Sequence, residues 1–427
     1  MQLFCLKCIL SVISITFMKK QFQISLGIFV VIGILVGCTK VDLATVNLAA
    51  TNATISALAD PFAATRAAFG TNIDLNNLSN YANQGKPAYI NNDNTGTDTI
   101  KDNKATLGRI LFYDKNLSIN NTIACASCHK QAFAFSDTAL VSDGVLGGLT
   151  ARHSMRLINA RFANEAKFFW NERAASLEIQ TTMPMQDHAE MGFSGLNGRG
   201  NLDTLLNKLS KINYYKEIFK AIYGDTLVTQ TRLQESLAQF VRSIQSFDSK
   251  YDSGRARVNN DGAPFPNFTA TENAGKSLYL TPPVFDGSGN RIAGGVGCNG
   301  CHKAPEFDID PNSKNNGVVG IIGSTSIETN DTRAPSLRDL VKADGTPNSR
   351  MMHTGQFTTV AGVLGHYNNI PNNPANNNLD GKLRADGVGN KLRLTPTETS
   401  QLIAFIQTLG GTNVYVDKKW SNPFLNQ

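Results

Sequence analysis

Charge is scarce in this chain. Asp, Glu, Lys and Arg make up 17% of its 427 residues, against about 25% in an ordinary soluble protein. The surface must therefore rely on neutral polar groups, asparagine above all. Forty Lys and Arg against 34 Asp and Glu leave a net charge of +6, and this thin excess is not gathered into runs. That excludes the basic footprint of a nucleic-acid-binding protein. No segment alternates polar and apolar residues in a way that competes as a strand. Cysteines number seven, and their placement leaves none over for structural disulfides. What is present, 41% hydrophobic and 8% aromatic residues, fits a globular protein rather than a disordered one. The length predicts more than one domain at ~100–200 residues each.

The N-terminus reads as an export signal. Lys19 and Lys20 precede an apolar stretch from Phe22 to Gly37, which falls short of the ~20 residues that span a bilayer. A small residue then precedes Cys38, and Leu35-Val36-Gly37-Cys38 resembles a bacterial lipobox, in which Cys38 becomes the lipidated first residue. Met18 opens a normal signal, so residues 1–17, with Cys5 and Cys8, read as an over-long start. An uncleaved signal anchor is the alternative. The expected mature protein lies in the periplasm or cell envelope, held to a membrane by lipid at Cys38. Whether that membrane is the inner or the outer one stays open.

The remaining four cysteines fall in two copies of one pattern, Cys125-Ala126-Ser127-Cys128-His129 and Cys298-Asn299-Gly300-Cys301-His302. C-x-x-C-H is the attachment motif of c-type haem. Two thiols add to the haem vinyl groups, and the adjoining His supplies a nitrogen to iron. A four-cysteine zinc site would hold its pairs ~15–20 residues apart, far closer than these. A pair of redox disulfides would not require His in both fifth positions. Two covalently bound c-type haems are expected, with His129 and His302 as iron ligands.

Residues 38–100, rich in Ala, Thr and Asn, read as a lipidated tether and a partly ordered lead-in. Apolar residues at spacings of three and four (Leu233, Leu237, Phe240, Val241, Ile244, Phe247) predict a helix over 230–247. The Gly- and Pro-containing stretch Gly254 to Asn267 is the expected boundary. It divides a haem domain at 101–255 from a second at 265–427. Thr395-Pro396-Thr397-Glu398 is a capping box with Pro at the first helical position, and Gly410-Gly411 closes the last helix. The Asn-rich tract 368–378 reads as a surface loop. The fold class is mainly α.

The motif order LGRILFYD, CASCH, RHSMRLINARF, FFWNERAASLEIQ, MPMQDHAEMG, CNGCH, APSLRD, MMHTG, GHYNN resembles the bacterial diheme cytochrome c peroxidase family, its MauG branch included. The stretch from Phe168 to Gly192 makes the match specific. The resemblance implies two cytochrome c-like haem domains packed with the haems facing a shared interface. The N-terminal haem would be peroxidatic and the C-terminal haem would transfer electrons. It also implies that Glu190 is the acid–base group that moves a proton between the peroxide oxygens. Gln180 would orient peroxide or water, and Trp170 would relay an electron hole between the haems. The family writes Asp-Gly where this chain has Asn171-Glu172, so the turn after Trp170 is expected to differ.

Sixth ligands separate the branches. In many relatives a loop histidine caps the first haem, but Val141 to Ala151 contains none, which predicts an open, five-coordinate first haem. His153 and His188 are rival ligands. For the second haem, Tyr367 matches the position of an axial Met or Tyr, with Met351 and Met352 as alternatives. Tyrosinate would lower the iron potential and favour stored oxidising equivalents. His353 would take a supporting role beside that haem, and His366 is left on the surface. A calcium ion between the haems is a further candidate, at His153, Asn348 and Arg350 by position. The first functional reading is reduction of hydrogen peroxide to water with electrons from a small cytochrome c or cupredoxin. MauG-like, peroxide-dependent oxidation of a partner protein or organic substrate comes second, and a non-enzymatic diheme electron carrier third. Relatives also admit a homodimer.

Overall fold

Helices in this protein begin where the sequence supplies caps. In the computed structural model, residues 60–426 are described, apart from positions 165, 166, 334 and 386. The expected export signal, residues 1–17 and the expected lipidation site Cys38 lie outside the described residues. The helices are α1 Ala63–Phe69, α2 Asp102–Tyr113, α3 Cys125–Cys128, α4 Leu177–Gln186, α5 Leu202–Ser210, α6 Asn213–Tyr223, α7 Gln230–Ser243, α8 Lys250–Arg255, α9 Ala270–Leu280, α10 Val360–Asn368 and α11 Pro396–Gln407. Thr395 caps α11 by accepting from the Glu398 N–H at 3.2 Å, and the Glu398 carboxylate accepts from the Thr395 N–H at 2.9 Å. Thr269 and Glu272 repeat the device on α9. Each cap satisfies amides that the first helical turn leaves unpaired.

Helix α7 stops earlier than its apolar spacing predicts. Asn159 takes over the chain there: its N–H donates to the Ile244 carbonyl at 3.0 Å, and its Oδ1 accepts from the Ser246 N–H at 2.9 Å. A side chain remote in sequence thus replaces the helical partners. Among the described residues the strands form three antiparallel two-stranded ribbons. These are β1 Pro283–Phe285 with β2 Arg291–Gly294, β3 His302–Lys303 with β4 Asp308–Ile309, and β5 Arg384–Ala385 with β6 Val388–Gly389. They are too short to show the alternation that marks a strand in sequence.

Buried apolar side chains gather in two clusters. Leu107, Ile110 and Leu111 of α2 meet Leu233, Leu237 and Phe240 of α7 in the first. Tyr251, Phe265, Tyr279, Phe307, Leu402 and Phe405 lead the second, which includes α9 and α11. Both clusters are built on one kind of helix crossing. A Cβ on Gly108 of α2 would lie 1.9 Å from the Ser236 carbonyl oxygen, and one on Gly275 of α9 would lie 1.9 Å from that of Gln401. Four residues beyond each carbonyl stands a phenylalanine, Phe240 and Phe405, against the same glycine. Only glycine lets the two backbones approach so closely. In each half the glycine helix precedes a CxxCH segment and crosses the half's last long helix.

Two expectations change. From Asp60 onward the lead-in is part of the fold rather than a tether: Tyr81 and Ile90 are fully buried, the Tyr81 hydroxyl donates to the Lys419 carbonyl at 2.7 Å, and Glu217 accepts from the first amides of α1. The Asn-rich tract is not all surface, because Asn376 is buried and donates to Asn315 Oδ1 at 2.8 Å. Asparagine side chains carry both donors and acceptors, so a run of them can knit an irregular segment into place.

Candidate functional site

The first CxxCH segment is the single turn α3. Ala134 and Phe135 follow it in left-handed conformation, turning the chain so that the Phe135 carbonyl lies 3.0 Å from His129 Nδ1. A bond there fixes the ring and leaves Nε2 for a metal, the usual outer-shell arrangement of a ligating histidine. In the second half Cys298–Gly300 form a 3-10 turn leading into β3. The four cysteines are unpaired thiols. Burial pushes Cys125 and Cys298 up to about 12 and Cys128 to about 11. Redox-active CxxC pairs carry the opposite shift.

A cavity of about 440 Å³ opens beside the second motif, lined among others by Arg156, Trp170, Cys298, His302, Met352 and Tyr367. Its size lies within the range of cofactor sites. His302 Nδ1 is buried without a hydrogen-bond partner, and burial pushes the imidazole down to about 4, so it is neutral as a ligand must be. Arg156 is buried and donates to the Ser336 carbonyl at 3.0 Å, while its Nε has no partner. An apolar cavity holding a neutral His, two thiols and a buried guanidinium fits a haem with carboxylate side groups.

Glu190 is half-buried in the loop after α4. The Asp187 carboxylate accepts from the Ala189 and Glu190 amides at 2.8 and 3.0 Å, and the Gly192 amide closes back on the Asp187 carbonyl at 2.8 Å. Burial, then the Asp187 charge, raise the Glu190 carboxyl to about 7, against the opposing pull of Arg173. A small hairpin covers this loop. Ser142 and Thr150 pair, and the Val145 N–H donates to the Ala189 and Glu190 carbonyls at 3.1 and 3.0 Å. A Cβ on Gly144 or Gly148 would lie 1.9 or 2.3 Å from the Ala189 oxygen. The hairpin residues were missed in the sequence; the pair of glycines in VSDGVLGGLT was the available signal. Gln180 is half-buried on α4, one turn from the helix start capped by Ser176.

Trp170 is tied down from two directions. Its indole N–H donates to the His153 carbonyl at 2.8 Å, and its own carbonyl accepts from the Thr332 and Arg333 amides at 2.9 and 3.0 Å. The ring lies edge-on to His353, 6.2 Å between centroids. Glu172 occupies a left-handed conformation, φ 54°, where the family's glycine would be unstrained; its carboxylate accepts from the Thr332 hydroxyl.

Tyr367 on α10 and Met352 both line the cavity, and Asn316 Nδ2 lies 3.4 Å from the Tyr367 hydroxyl and 3.2 Å from the Met352 sulfur. Met351 lines the same cavity and is also packed in the second hydrophobic cluster. His153 is buried, its Nδ1 3.0 Å from the Ala139 carbonyl and its Nε2 unpartnered. His188 is held by the Ser194 hydroxyl at 2.9 Å. His353 stands 3.5 Å from Asp331, whose carboxylate also accepts from Arg152 at 2.9 Å. His366 is not a bare surface residue: it is half-buried, with Nε2 2.9 Å from the Asn316 carbonyl. Asn348 donates to the Asp339 carbonyl and to the Tyr415 hydroxyl, and Arg350 to the Gly355 carbonyl. Among the described residues no three His, Cys, Asp or Glu side chains gather as a metal site.

Two CxxCH segments on repeated glycine–phenylalanine helix crossings, with a half-buried carboxyl in the first half, are the parts a haem-dependent oxidoreductase would use. Residues 102–259 match the family model of di-haem cytochrome c peroxidase, and the chain is similar to MauG proteins and to cytochrome c peroxidases. Among its relatives, the methylamine utilization protein MauG of Methylophilus methylotrophus is 28% identical over 317 residues, 72% of this chain and 82% of that one. The cytochrome c551 peroxidase of Nitrosomonas europaea is 28% identical over 148 residues, 35% of this chain and 42% of that one. Among solved structures, a MauG-like protein associated with microbial copper homeostasis superposes with a TM-score of 0.60 at 25% identity, over 80% of this chain and 99% of that one. The diheme peroxidase BthA of Burkholderia thailandensis shares the fold, with a TM-score of 0.51 at 19% identity over 77% of this chain and 89% of that one.

Proposed function

We propose that this chain is a di-haem peroxidase reducing hydrogen peroxide to water with electrons from a small redox protein, a cytochrome c or cupredoxin. Residues 101–255 and 265–427 would each carry one haem, bound through Cys125, Cys128 and His129 and through Cys298, Cys301 and His302. The observation that carries this reading is the Glu190 carboxyl, half-buried under the Gly144–Gly148 hairpin and held at about 7. Haem supplies the iron electrons that break the peroxide O–O bond; the chain's own residues manage protons and position. As a carboxylate, Glu190 accepts the proton from one peroxide oxygen. As a carboxylic acid, it returns that proton to the other oxygen, which leaves as water. A group near 7 does both at neutral pH. Gln180 orients the peroxide with its amide, and Trp170, braced between the two halves, relays the electron hole. Arg156 and His353 fit the haem carboxylates.

The hairpin over Glu190 carries no histidine and is pinned to the Glu190 backbone, which supports a first haem open at rest. Among the described residues no three His, Cys, Asp or Glu side chains gather for calcium, so carbonyl oxygens would have to supply much of its shell. We place the mature protein in the periplasm or cell envelope, anchored by lipid on Cys38. A second reading, MauG-like oxidation of a partner protein or organic substrate, is favoured by one observation: a tyrosine, Tyr367, lines the cavity beside the second motif. A bare electron carrier leaves the raised Glu190 carboxyl unexplained.

Steady-state peroxide consumption with a reduced cytochrome c as donor tests the first reading. Glu190→Gln should lower kcat/KM for peroxide by ~10²–10⁴-fold with haem content unchanged. A two-haem protein that consumes no peroxide, or a fully active Glu190→Gln variant, would contradict it.

A further inference from the structure

Asn316 sits where two chemically opposite ligands meet. Its side-chain amide lies within reach of the Tyr367 hydroxyl and the Met352 sulfur, at 3.4 and 3.2 Å. All three residues line the cavity that also holds His302. The amide itself is held in place: Asn316 Oδ1 accepts from the Val318 N–H at 3.0 Å, and the Asn316 carbonyl faces His366 Nε2 at 2.9 Å. His366 and Tyr367 are neighbours on α10, so this one asparagine is fastened to the helix that carries the phenol. Met352 stands on a strained backbone, φ 66°, a conformation a side chain of this size keeps only where its surroundings impose it. Met351, its neighbour, lines the same cavity while packing in the second cluster; the strained backbone and the Asn316 contact single out the Met352 thioether.

We propose that Tyr367 and Met352 are alternative ligands of the second haem, exchanged with its oxidation state, and that Asn316 is the positioning residue that holds whichever is not bound. This rests on the reading that the CNGCH segment carries a haem. Phenolate is a hard, anionic donor suited to ferric iron, and a thioether is a soft, neutral donor suited to ferrous iron. When the donor protein delivers one electron to the ferric haem, the iron–oxygen bond to Tyr367 breaks and the phenol takes one proton from water. The Met352 sulfur then fills the position. Reoxidation reverses both changes and returns the proton. A single primary amide can donate to a phenol oxygen or to a sulfur, which lets one residue serve both resting positions. The device would give one haem a low potential when oxidised and a higher one when reduced.

The test uses the matured two-haem protein, with haem content and covalent attachment measured first, so that a failed haem reading is distinguished from a failed ligand exchange. Optical and electron paramagnetic resonance spectra are then recorded for the ferric and ferrous states of the wild type, Tyr367→Phe, Met352→Leu and Asn316→Leu. The proposal expects Tyr367→Phe to abolish the phenolate-to-iron charge-transfer band of the ferric protein while leaving its ferrous low-spin spectrum intact. Met352→Leu should do the reverse, converting the ferrous second haem to high spin with the ferric spectrum unchanged. Asn316→Leu should keep both ligands but shift the midpoint potential of that haem and widen the gap between its oxidative and reductive titrations. A Met352→Leu variant whose ferrous spectrum matches the wild type would overturn the exchange. An Asn316→Leu variant with an unaltered potential would overturn the positioning role.

Discussion

The proposed chemistry rests on one carboxyl group whose ionisation its surroundings oppose. Glu190 is raised from 4.5 to about 7, first by burial and then by Asp187. As a base it works only when ionised, so kcat/KM for peroxide should fall as the pH drops below about 7, and Asp187→Asn should move that limb to lower pH. Stability follows the opposite course. The ionised form is the penalised one in the folded state, so the penalty is absent below about 4.5, grows as the pH rises towards 7 and is complete above it. Glu190→Gln should therefore stabilise the protein by on the order of 1–3 kcal/mol at pH 8 and leave it nearly unchanged at pH 4.5, as read by denaturant unfolding at the two pH values. Glu190, Gln180 and Trp170 were legible because they sit in a specific motif stretch. The raised carboxyl was not, because it depends on burial and on the fold of the Asp187–Gly192 turn. Asn316 was invisible for the same reason: in a chain this rich in asparagine, nothing local distinguishes it from its neighbours.

At the scale of elements, a capping box marked α11 and apolar spacing marked most of α7 in advance. The end of α7 was illegible because Asn159 sets it, from far away in the sequence. The glycine crossings were equally hidden: Gly108 and Gly275 look like ordinary helix-weakening residues until the facing carbonyls of Ser236 and Gln401 are placed. Gly108→Ala and Gly275→Ala should each cost about 1–3 kcal/mol by overpacking, since backbone rather than a pliable side chain would have to give way. Thermal unfolding of the two variants measures this, and a change below about 0.5 kcal/mol would show that the helices can separate without loss. The hairpin at Gly144 and Gly148 obeys the same rule with a functional consequence, because it bears on the backbone of Glu190.

Across the molecule, the two hydrophobic clusters are not divided cleanly by sequence order. Val414 and Trp420, near the C-terminus, are buried in the first cluster with α2 and α7. The Trp420 indole N–H reaches the Ser243 hydroxyl at 3.2 Å, and the Trp420 carbonyl accepts from the Tyr113 hydroxyl at 2.6 Å. The N-terminal segment docks on the same strip through Tyr81 and Lys419. The two ends of the fold thus close the first half together, an arrangement that periodicity within single segments does not reveal. Trp420→Ala should cost about 3–5 kcal/mol in the denaturant unfolding of the matured protein, a loss felt in the half that bears Glu190. Peroxidase chemistry is the claim on which the whole account depends, and rapid mixing of the fully ferric, matured protein with one equivalent of hydrogen peroxide tests it most directly. The account predicts an immediate change in the absorption of one haem, without prior reduction, and its slowing by orders of magnitude in Glu190→Gln. Two low-spin haems unmoved by peroxide, even after half-reduction, would contradict it.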